Sequence, residues 1–419
     1  MPAPLTTTAF SRITALASQA PVHKAFAWLH TNPKTIMDWQ TELVAIPAPP
    51  FGEEARSAWM AARFTEAGLS AVETDAVGNV LAMIPAQALP PDSTGPVILL
   101  SAHLDTVFPA ETPLQPVFED GRLQAPSACD NAAGVVGMLA IVRALLHGGI
   151  ALPAPLVVMG NVGEEGEGDL RGVRHFYKHN ALAGRVAAHI VLDGAGTDTI
   201  VSQALGSRRF LVTVTGPGGH SFSDAGTPNP IAALAKAIAT LAEVPLPEEP
   251  RTTLNVGTLH GGISVNAIPQ KAQAAIDFRS SAAEPLIALE VALHRAVEDA
   301  VEQCNKKGNS TGENDARRLA YKIEKIGDRP TGQLAEDSEL LAALRATDRH
   351  LGLRADLRLG STDANLPLSL GIPAFSIGAG GVGGGAHTLQ EWFSDKNREI
   401  ALKRILLFTL AMLEWAAGQ

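Results

Sequence analysis

Short apolar runs alternate with helical stretches through the first two hundred residues, and this order constrains the fold more than any other feature. The predicted strands are Asn79–Pro85, Pro96–Ser101, Pro155–Val162 and His189–Asp193. The predicted helices are 26–46, 53–68 and Asn131–Leu146. Strands that alternate with helices in this way predict an α/β domain with a central, mostly parallel sheet.

The pattern changes near residue 207. The next strands are predicted at Arg209–Thr215, Thr252–Leu259, Lys271–Arg279 and Ala320–Ile326, with helices at Pro230–Leu241 and Pro285–Gln303. The order β-α-β-β-α-β is typical of an α+β, ferredoxin-like fold. A helix at Ser338–Leu351 and a strand at Pro373–Ile377 then resume the first pattern. We therefore predict a discontinuous domain, 1–207 and 328–419, into which residues 208–327 are inserted.

The charge balance and the cysteine content exclude several classes of protein. The chain carries 33 Lys and Arg against 43 Asp and Glu, a net charge of −10, whereas a nucleic-acid-binding protein needs a basic surplus to displace phosphate counterions. Binding to an anionic membrane is disfavoured for the same reason. Since no apolar run of about 18 residues occurs, no transmembrane helix is expected. Cys129 and Cys304 are the only cysteines and cannot build a disulfide framework, so we expect a cytoplasmic protein.

Polar side chains with metal-binding chemistry follow the predicted strands. They are His103 and Asp105 after the second strand, Glu164 and Glu165 after the third, Asp193 at the end of the fourth, Asp130 at a helix start, and His387 after a glycine-rich loop. The carboxyl ends of parallel strands form a common crevice, so these groups are expected to converge. Taken singly, each has an ordinary explanation as a surface histidine, a helix cap or a solvated acidic pair. Together, two imidazoles and several carboxylates are a common ligand set for divalent metals such as zinc.

Seven segments, taken in chain order, closely resemble the M20 family of dinuclear metallopeptidases. They are SAHLDTV (101–107), ACDNAAGVVGML (128–139), GNVGEEGEGDLRG (160–172), VLDG (191–194), GPGGHSF (216–222), NAIPQKAQAAIDFR (266–279) and GSTDANLPLSLGIPAFSIGAGGVGGGAHTLQEW (360–392). The family includes tripeptidases, dipeptidases, glutamate carboxypeptidases, aminoacylases and succinyl-diaminopimelate desuccinylase. The resemblance implies a zinc-peptidase catalytic domain at 1–207 and 328–419, with an inserted dimerisation or lid domain at 208–327.

The resemblance assigns two zinc ions to the polar cluster, with cobalt or manganese as alternatives. His103, Asp130 and Asp193 would bind the first ion. Asp130, Glu165 and His387 would bind the second, so that Asp130 bridges the pair. These assignments are carried over from the family residue by residue, onto positions where this chain has the matching residue type.

The resemblance also assigns roles in catalysis. Asp105 would orient the imidazole of His103, and Glu164 would be the general base for a hydroxide that bridges the two metals. His220, in the inserted domain, would donate a hydrogen bond to the oxyanion of the tetrahedral intermediate from the other subunit of a homodimer. The ordinary alternative for His220 is a loop histidine without a catalytic role.

Two features of the segment around Asp130 complete the comparison with the family. The family's peptide bond at the position of Asp130–Asn131 is cis. Cys129 stands where many members carry another small residue. Its thiol is either inert or a weak extra metal contact.

The sequence constrains the substrate less tightly. Asn266 and Arg279 match family residues that bind polar and carboxylate groups of the substrate, although Arg279 alternatively pairs with a nearby acid such as Asp277. Asp193 stands where the family carries Asp or Glu, and Asp resembles its aminopeptidases and dipeptidases. We predict hydrolysis of peptide bonds in short peptides, of the aminopeptidase or tripeptidase type. The alternatives are a carboxypeptidase, an N-acyl or N-carbamoyl amino-acid amidohydrolase and, more remotely, a non-catalytic binding protein of the same fold.

Overall fold

The computed structural model describes residues 5–86, 95–310, 312 and 315–419, and the chain forms two compact units. The first unit comprises Met1–Ala204 and Gln333–Gln419, and the second comprises Leu205–Gly332. The predicted limits of the inserted segment, 208 and 327, lie three and five residues inside the limits of the second unit.

The helices and strands of the described residues are numbered in chain order. The helices are α1 (Leu5–Ala17), α2 (Ala20–Thr31), α3 (Pro33–Val44), α4 (Glu54–Glu66), α5 (Ala132–Gly148), α6 (Arg171–His179), α7 (Pro230–Ala242), α8 (Ala283–Lys307), α9 (Glu339–Leu351), α10 (Asn365–Ser369) and α11 (Arg398–Ala417). The strands are β1 (Glu73–Thr74), β2 (Val80–Ile84), β3 (Val97–His103), β4 (Val117–Glu119), β5 (Arg122–Gln124), β6 (Leu156–Asn161), β7 (Val186–Leu192), β8 (Thr199–Ala204), β9 (Gly206–Thr215), β10 (Gly219–His220), β11 (Thr252–Gly261), β12 (Ala267–Ile268), β13 (Lys271–Ser280), β14 (Ala320–Arg329), β15 (Gly332–Gln333), β16 (Asp356–Gly360), β17 (Ala374–Ile377), β18 (Val382–Gly384) and β19 (Trp392–Ser394). Among the described residues, none of the helices combines the length and the apolar character that crossing a membrane requires.

A nine-stranded sheet forms the centre of the first unit. Its strand order is β1-β2-β6-β3-β7-β17-β8-β15, and β16 also pairs with β8. The four central strands β6, β3, β7 and β17 are parallel, whereas β2 and β8 run antiparallel to β6 and β17. The predicted α/β fold with a mostly parallel central sheet is therefore confirmed, with antiparallel strands at its flanks.

Helix α5 packs closely against the central sheet because small residues face its neighbours. A Cβ atom added at Gly134 would lie 2.6 Å from the carbonyl oxygen of Leu192, the last residue of β7. A Cβ atom added at Gly137 would lie 2.7 Å from the Cβ of Ala379. Glycine at these two positions permits the close approach. The start of α5 is thereby held beside the carboxyl end of β7.

One predicted helix, 26–46, is wrong as a continuous element. The structure has two helices there, α2 and α3, separated at Asn32, which has φ −118° and ψ 29°. Pro33 follows Asn32 and explains the break, since proline lacks a backbone N–H and disfavours helical geometry at the preceding residue.

The second unit has the predicted element order β-α-β-β-α-β. Its four-stranded sheet has the order β11-β13-β9-β14 and is antiparallel throughout. The aromatic rings of Phe210 and Phe278 meet in its core with centroids 5.5 Å apart. The long helix α8 buries a stripe of residues spaced three and four apart, which include Leu286, Leu289 and Leu293. A separate two-stranded ribbon pairs β10 with β12.

Candidate metal centre

The carboxyl ends of three neighbouring parallel strands bring the predicted ligands together. His103 is the last residue of β3, Glu165 follows β6, and Asp193 follows β7. These strands are adjacent in the sheet, so their ends lie at one edge. Asp130 lies next to them, two residues before the start of α5. Its peptide bond to Asn131 is cis, as the family resemblance implies.

The two carboxylate oxygens of Asp130 contact two different histidines. Its Oδ1 lies 3.1 Å from Nε2 of His103, and its Oδ2 lies 3.1 Å from Nε2 of His387. His103 Nε2 is also 3.9 Å from Oδ1 of Asp193, and His387 Nε2 is 3.0 Å from Oε1 of Glu165. Two groups of three potential ligands therefore share one carboxylate, and within each group the ligand atoms lie within 4.8 Å of one another.

The imidazoles and carboxylates of this cluster shift one another's pKa. Burial would lower the pKa of His103, but neighbouring carboxylates, Asp105 first, raise it well above its usual value. Hydrogen bonds to two carboxylates, Asp130 first, raise the pKa of His387 to about 10. Burial would raise the pKa of Asp130, yet the two imidazoles lower it overall. The cluster thus favours positive charge at its centre.

Asp105 is fully buried and organises the residues around it. Its Oδ1 accepts the backbone N–H of Glu164 at 3.0 Å, and its Oδ2 accepts that of Glu165 at 2.7 Å. Its Oδ1 also lies 3.6 Å from Nδ1 of His103, while its backbone oxygen is 3.1 Å from the same nitrogen. Asp105 therefore fixes the pair of glutamates after β6 through its carboxylate and the ring of His103 through its backbone oxygen.

Glu164 is buried beside this cluster. The residue is 5% exposed, and its carboxylate lies within 4.8 Å of ligand atoms of His103 and Glu165. A buried carboxylate next to a group of possible metal ligands is suited to proton transfer with a reacting water.

The comparison with known protein families supports the same conclusion. The model of "Peptidase family M20/M25/M40" matches residues 99–411, which is well over half of the chain. The chain belongs to this family. All the predicted metal ligands of the M20 protein, and both Asp105 and Glu164, lie within the matched region.

Individual relatives of this M20 protein agree on the fold. In sequence it is 30% identical to a probable carboxypeptidase of Aspergillus clavatus over 60% of this chain and 59% of that relative. In structure it is similar to aminopeptidase PepT from Bacillus cereus, with a TM-score of 0.69 and 20% identity over 90% of this chain and 98% of that one. It is also similar to YXEP from Bacillus subtilis, a dinuclear metal binding peptidase, with a TM-score of 0.64 and 18% identity over 93% and 99% of the two chains. The chain spans 59% and 66% of the length of two curated relatives it matches.

The second unit of the M20 protein brings His220 and Asn266 together. His220 pairs with Ala267 in the ribbon of β10 and β12, and the N–H of Ser221 donates to the carbonyl oxygen of Asn266 at 3.0 Å. Both side chains are exposed. Two of the three predicted functional residues of this unit therefore lie at one ribbon.

Arg279 lies elsewhere in that unit. Arg279 is near the far end of β13, a strand that begins at Lys271, three residues after the ribbon strand β12. At the usual rise per residue of a strand, the eight residues from Lys271 to Arg279 span about 27 Å. Its Nε donates to Oδ2 of Asp277 at 2.7 Å. This is the alternative pairing that the sequence allowed for Arg279, and its role toward the substrate stays a prediction.

Sequence reasoning assigned no function to two buried acids near the cluster. Glu391, four residues after His387, is fully buried and accepts three backbone N–H groups from the loop that leads to Asp130. Asp363 is also fully buried and accepts from Nδ2 of Asn161 at 2.7 Å. Burial raises the pKa of each to about 7. Both lie in the segment 360–392. For Glu391, the available sequence signal was an acid four residues after the histidine that follows a glycine-rich stretch.

Cys129 packs into the scaffold of the site. A Cβ atom added at Gly383 would lie 2.5 Å from the Cys129 sulfur, so the thiol fills the space that glycine leaves. Burial, followed by the charge of Glu391, raises the pKa of the thiol to about 12. Cys129 also belongs to none of the potential metal-binding groups among the described residues. These observations favour the inert alternative over a metal contact, because a thiol binds metals as the thiolate.

Proposed function

We propose that this protein is a metal-dependent hydrolase of peptide bonds in short peptides. The observation that carries the proposal is Asp130, whose two oxygens face two different histidines. A carboxylate placed between two ligand groups of this kind suits a dinuclear metal site. Membership of a peptidase family supports peptide-bond cleavage as the reaction.

The residues present fit two divalent cations. Each group offers one imidazole nitrogen and carboxylate oxygens, a donor set typical of zinc and also acceptable to cobalt or manganese. His103, Asp130 and Asp193 would hold one cation, and Asp130, Glu165 and His387 the other. Such cations supply Lewis acidity, which polarises the scissile carbonyl and lowers the pKa of water.

The protein's own residues perform the proton transfers in this proposal. Glu164 accepts a proton from the attacking water and returns it to the leaving amine. Asp105 holds the backbone of Glu164 with its carboxylate and orients His103 through its backbone oxygen. Nδ1 of His103 contacts the backbone oxygen of Asp105 at 3.1 Å, and a hydrogen bond of this kind keeps a ligand imidazole in one orientation.

His220 is proposed to stabilise the oxyanion. Its Nδ1 faces the backbone N–H groups of Phe222 at 3.2 Å and Ser223 at 3.3 Å. Because a neutral imidazole has one donor and one acceptor nitrogen, these contacts place its proton on Nε2. The exposed Nε2–H is then available to donate to an oxyanion.

His220→Ala is expected to lower kcat by roughly 10²–10³, the usual effect of removing an oxyanion donor. Steady-state kinetics on a tripeptide check this, with His294→Ala as the control, because His294 is an exposed histidine on another element of the same unit. A loss of less than threefold in His220→Ala, or an equal loss in both variants, would refute the role.

We further propose a homodimer that forms through the inserted domain. Among the described residues, β11 is one of the two edge strands of its sheet, and Phe222, Ile263 and Val265 are between 86% and 101% exposed. An unpaired edge beside exposed apolar side chains is typical of a surface that is covered by a partner. If His220 acts across this dimer, mixing His220→Ala with Glu164→Gln subunits restores part of the activity. Verified subunit exchange without recovery would contradict action across the dimer.

For the substrate we propose cleavage of the aminopeptidase or tripeptidase type, supported by Asp193, whose short side chain leaves room for a free α-amine. Asn266 and Arg279 would hold polar and carboxylate groups further along the peptide. The second candidate is a carboxypeptidase, which the names of relatives with 28–30% identity favour. The two free cysteines agree with a cytoplasmic location.

Free tripeptides are expected to be cleaved at least tenfold faster, in kcat/KM, than their N-acetylated forms. A free amine that contacts the metal centre contributes about 1.4 kcal/mol or more to such discrimination. Mass spectrometry of digests of matched di-, tri- and tetrapeptides measures the rates and identifies the residue released. Release of C-terminal residues from N-acetylated peptides at equal or higher kcat/KM would favour the carboxypeptidase or the amidohydrolase instead.

A further inference from the structure

Glu391 is the hydrogen-bond acceptor for most of the loop that carries Asp130. Its Oε1 accepts the backbone N–H groups of Cys129 and Asp130, each at 2.7 Å, and its Oε2 accepts that of Ser127 at 2.9 Å. The glutamate is fully buried. A carboxylate that receives three backbone donors without solvent fixes the path of that backbone.

We propose that Glu391 is a positioning residue that sets the cation affinity of both ligand groups by fixing the backbone at Asp130. This inference rests on the proposed metal-dependent function. Asp130 gives one oxygen to each group, so a shift of its backbone changes the ligand geometry of both. Metal–ligand distances tolerate changes of only about 0.2 Å, which makes the backbone position decisive.

Glu391 also joins two ligands that are distant in sequence. It lies between β18 and β19, in the same connection that presents His387. Its carboxylate reaches the loop that presents Asp130. The spacing between His387 and Asp130 is therefore set by hydrogen bonds of Glu391 as well as by the sheet.

Other buried polar groups hold the same loop from further directions. Gln40 donates from Nε2 to the carbonyl oxygen of Ala128, and Arg398 donates to Oε1 of Gln40. Arg56 donates from Nη1 to Oγ of Ser127 at 3.1 Å. All three side chains are at most 3% exposed. An apolar core would stabilise the fold without the desolvation cost of buried guanidinium groups. The use of Arg56 on this loop, and of Arg398 on the glutamine that contacts it, therefore points to a requirement for the shape of the loop.

These contacts hold the backbone of Ser127 in an unfavourable conformation. Its φ is 67°, in the left-handed region that a residue with a Cβ adopts at a cost of roughly 1–2 kcal/mol. Glu391 accepts its N–H and Arg56 donates to its hydroxyl. The loop therefore keeps an unfavourable conformation because its polar atoms are fixed from two sides.

The experiment compares metal-free wild type with Glu391→Gln and Glu391→Asp. Affinity for Zn²⁺ is measured by competition with a chromophoric chelator, and the absorption spectrum of the Co²⁺-loaded protein reports ligand geometry. Gln keeps the size of the side chain but places an amide NH₂ against backbone N–H groups. We expect zinc affinity to fall by about 10–100-fold in Glu391→Gln, as for other groups that orient ligands, with an altered cobalt spectrum. Glu391→Asp keeps the charge and should recover part of the affinity.

Asp348→Asn is the matched control for a loss of buried charge. Asp348 is 5% exposed and pairs with Arg404 at 2.5 and 2.8 Å, between α9 and α11, and neither residue belongs to the Ser127–Asp130 loop. The Asp348→Asn substitution should lower the Tm of the metal-free protein, whereas the zinc affinity and the cobalt spectrum should stay as in wild type. If Glu391→Gln does not fold, Glu391→Asp supplies the comparison.

Two results would overturn the proposal for Glu391. One is zinc affinity within twofold of wild type and an unchanged cobalt spectrum in the folded Glu391 variant. The other is an equal loss of affinity in Asp348→Asn, which would show a general effect of stability. A wild-type protein that binds no divalent cation would instead refute the proposed function itself.

Discussion

Glu164→Gln is expected to lower kcat by about 10²–10⁴, the usual contribution of general acid–base catalysis, while the protein binds cations as wild type does. Glutamine has nearly the same shape as glutamate but cannot accept the proton of the attacking water. Glu164 adjoins the proposed ligand Glu165 and is not itself needed for either of the two groups that share Asp130. Chemistry and metal binding should therefore separate in this variant.

Glu167→Gln is the control for Glu164→Gln, since Glu167 lies in the same loop with its side chain exposed. It should keep wild-type kinetics. Rates on a tripeptide and the metal content of each purified variant are measured side by side. If Glu164→Gln keeps half of the wild-type activity, Glu164 is not the general base. If Glu164→Gln loses bound metal, Glu164 is a metal ligand instead.

The sequence alone predicts the central part of the fold well for a physical reason. Strands such as β3 and β6 are buried along their whole length, so they appear as continuous apolar runs. The polar residues at their ends, such as His103, interrupt these apolar runs and stand out in the sequence. Since parallel strands end at one edge, their convergence follows from the topology. The ligands around Asp130 could be predicted from the sequence for this reason.

Elements without a periodic pattern were harder to predict. Helix α11 was not predicted, because its buried residues, from Leu402 to Leu413, surround the helix and leave no polar stripe. The break between α2 and α3 depends on Pro33, whose effect competes with a periodicity that continues across it. Local pattern and local backbone chemistry disagreed there, and the backbone chemistry determined the structure.

The residues that support the site could not be assigned because their roles depend on distant partners. Glu391 meets the Ser127–Asp130 loop across more than 260 residues of sequence, and Gln40 meets Ala128 across 88. The residues that neighbour Glu391 or Gln40 in the sequence do not indicate such a distant contact. Arg279 illustrates the converse, since its nearest acid in sequence, Asp277, is its partner.

Asp130→Asn is expected to have the largest effect of all on the metal centre. Asparagine keeps the shape but loses the negative charge, and its amide nitrogen cannot bind a cation, so one of the two shared contacts is lost. Activity should fall by at least about 10³-fold, which corresponds to the several kcal/mol that a catalytic metal contributes. Stability of the metal-free protein should fall as well, because the Asp130 carboxylate pairs there with the imidazoles of His103 and His387, which lower its pKa.

Metal stoichiometry tests the central claim most directly. Metal-free wild type, Asp130→Asn and Asp348→Asn are equilibrated with Zn²⁺ at micromolar concentration, separated from free metal and analysed by mass spectrometry for bound zinc. We predict two equivalents in wild type and in Asp348→Asn, and at most one, bound more weakly, in Asp130→Asn. Two equivalents of undiminished affinity in Asp130→Asn, or fewer than two in wild type, would contradict a dinuclear site that is bridged by Asp130.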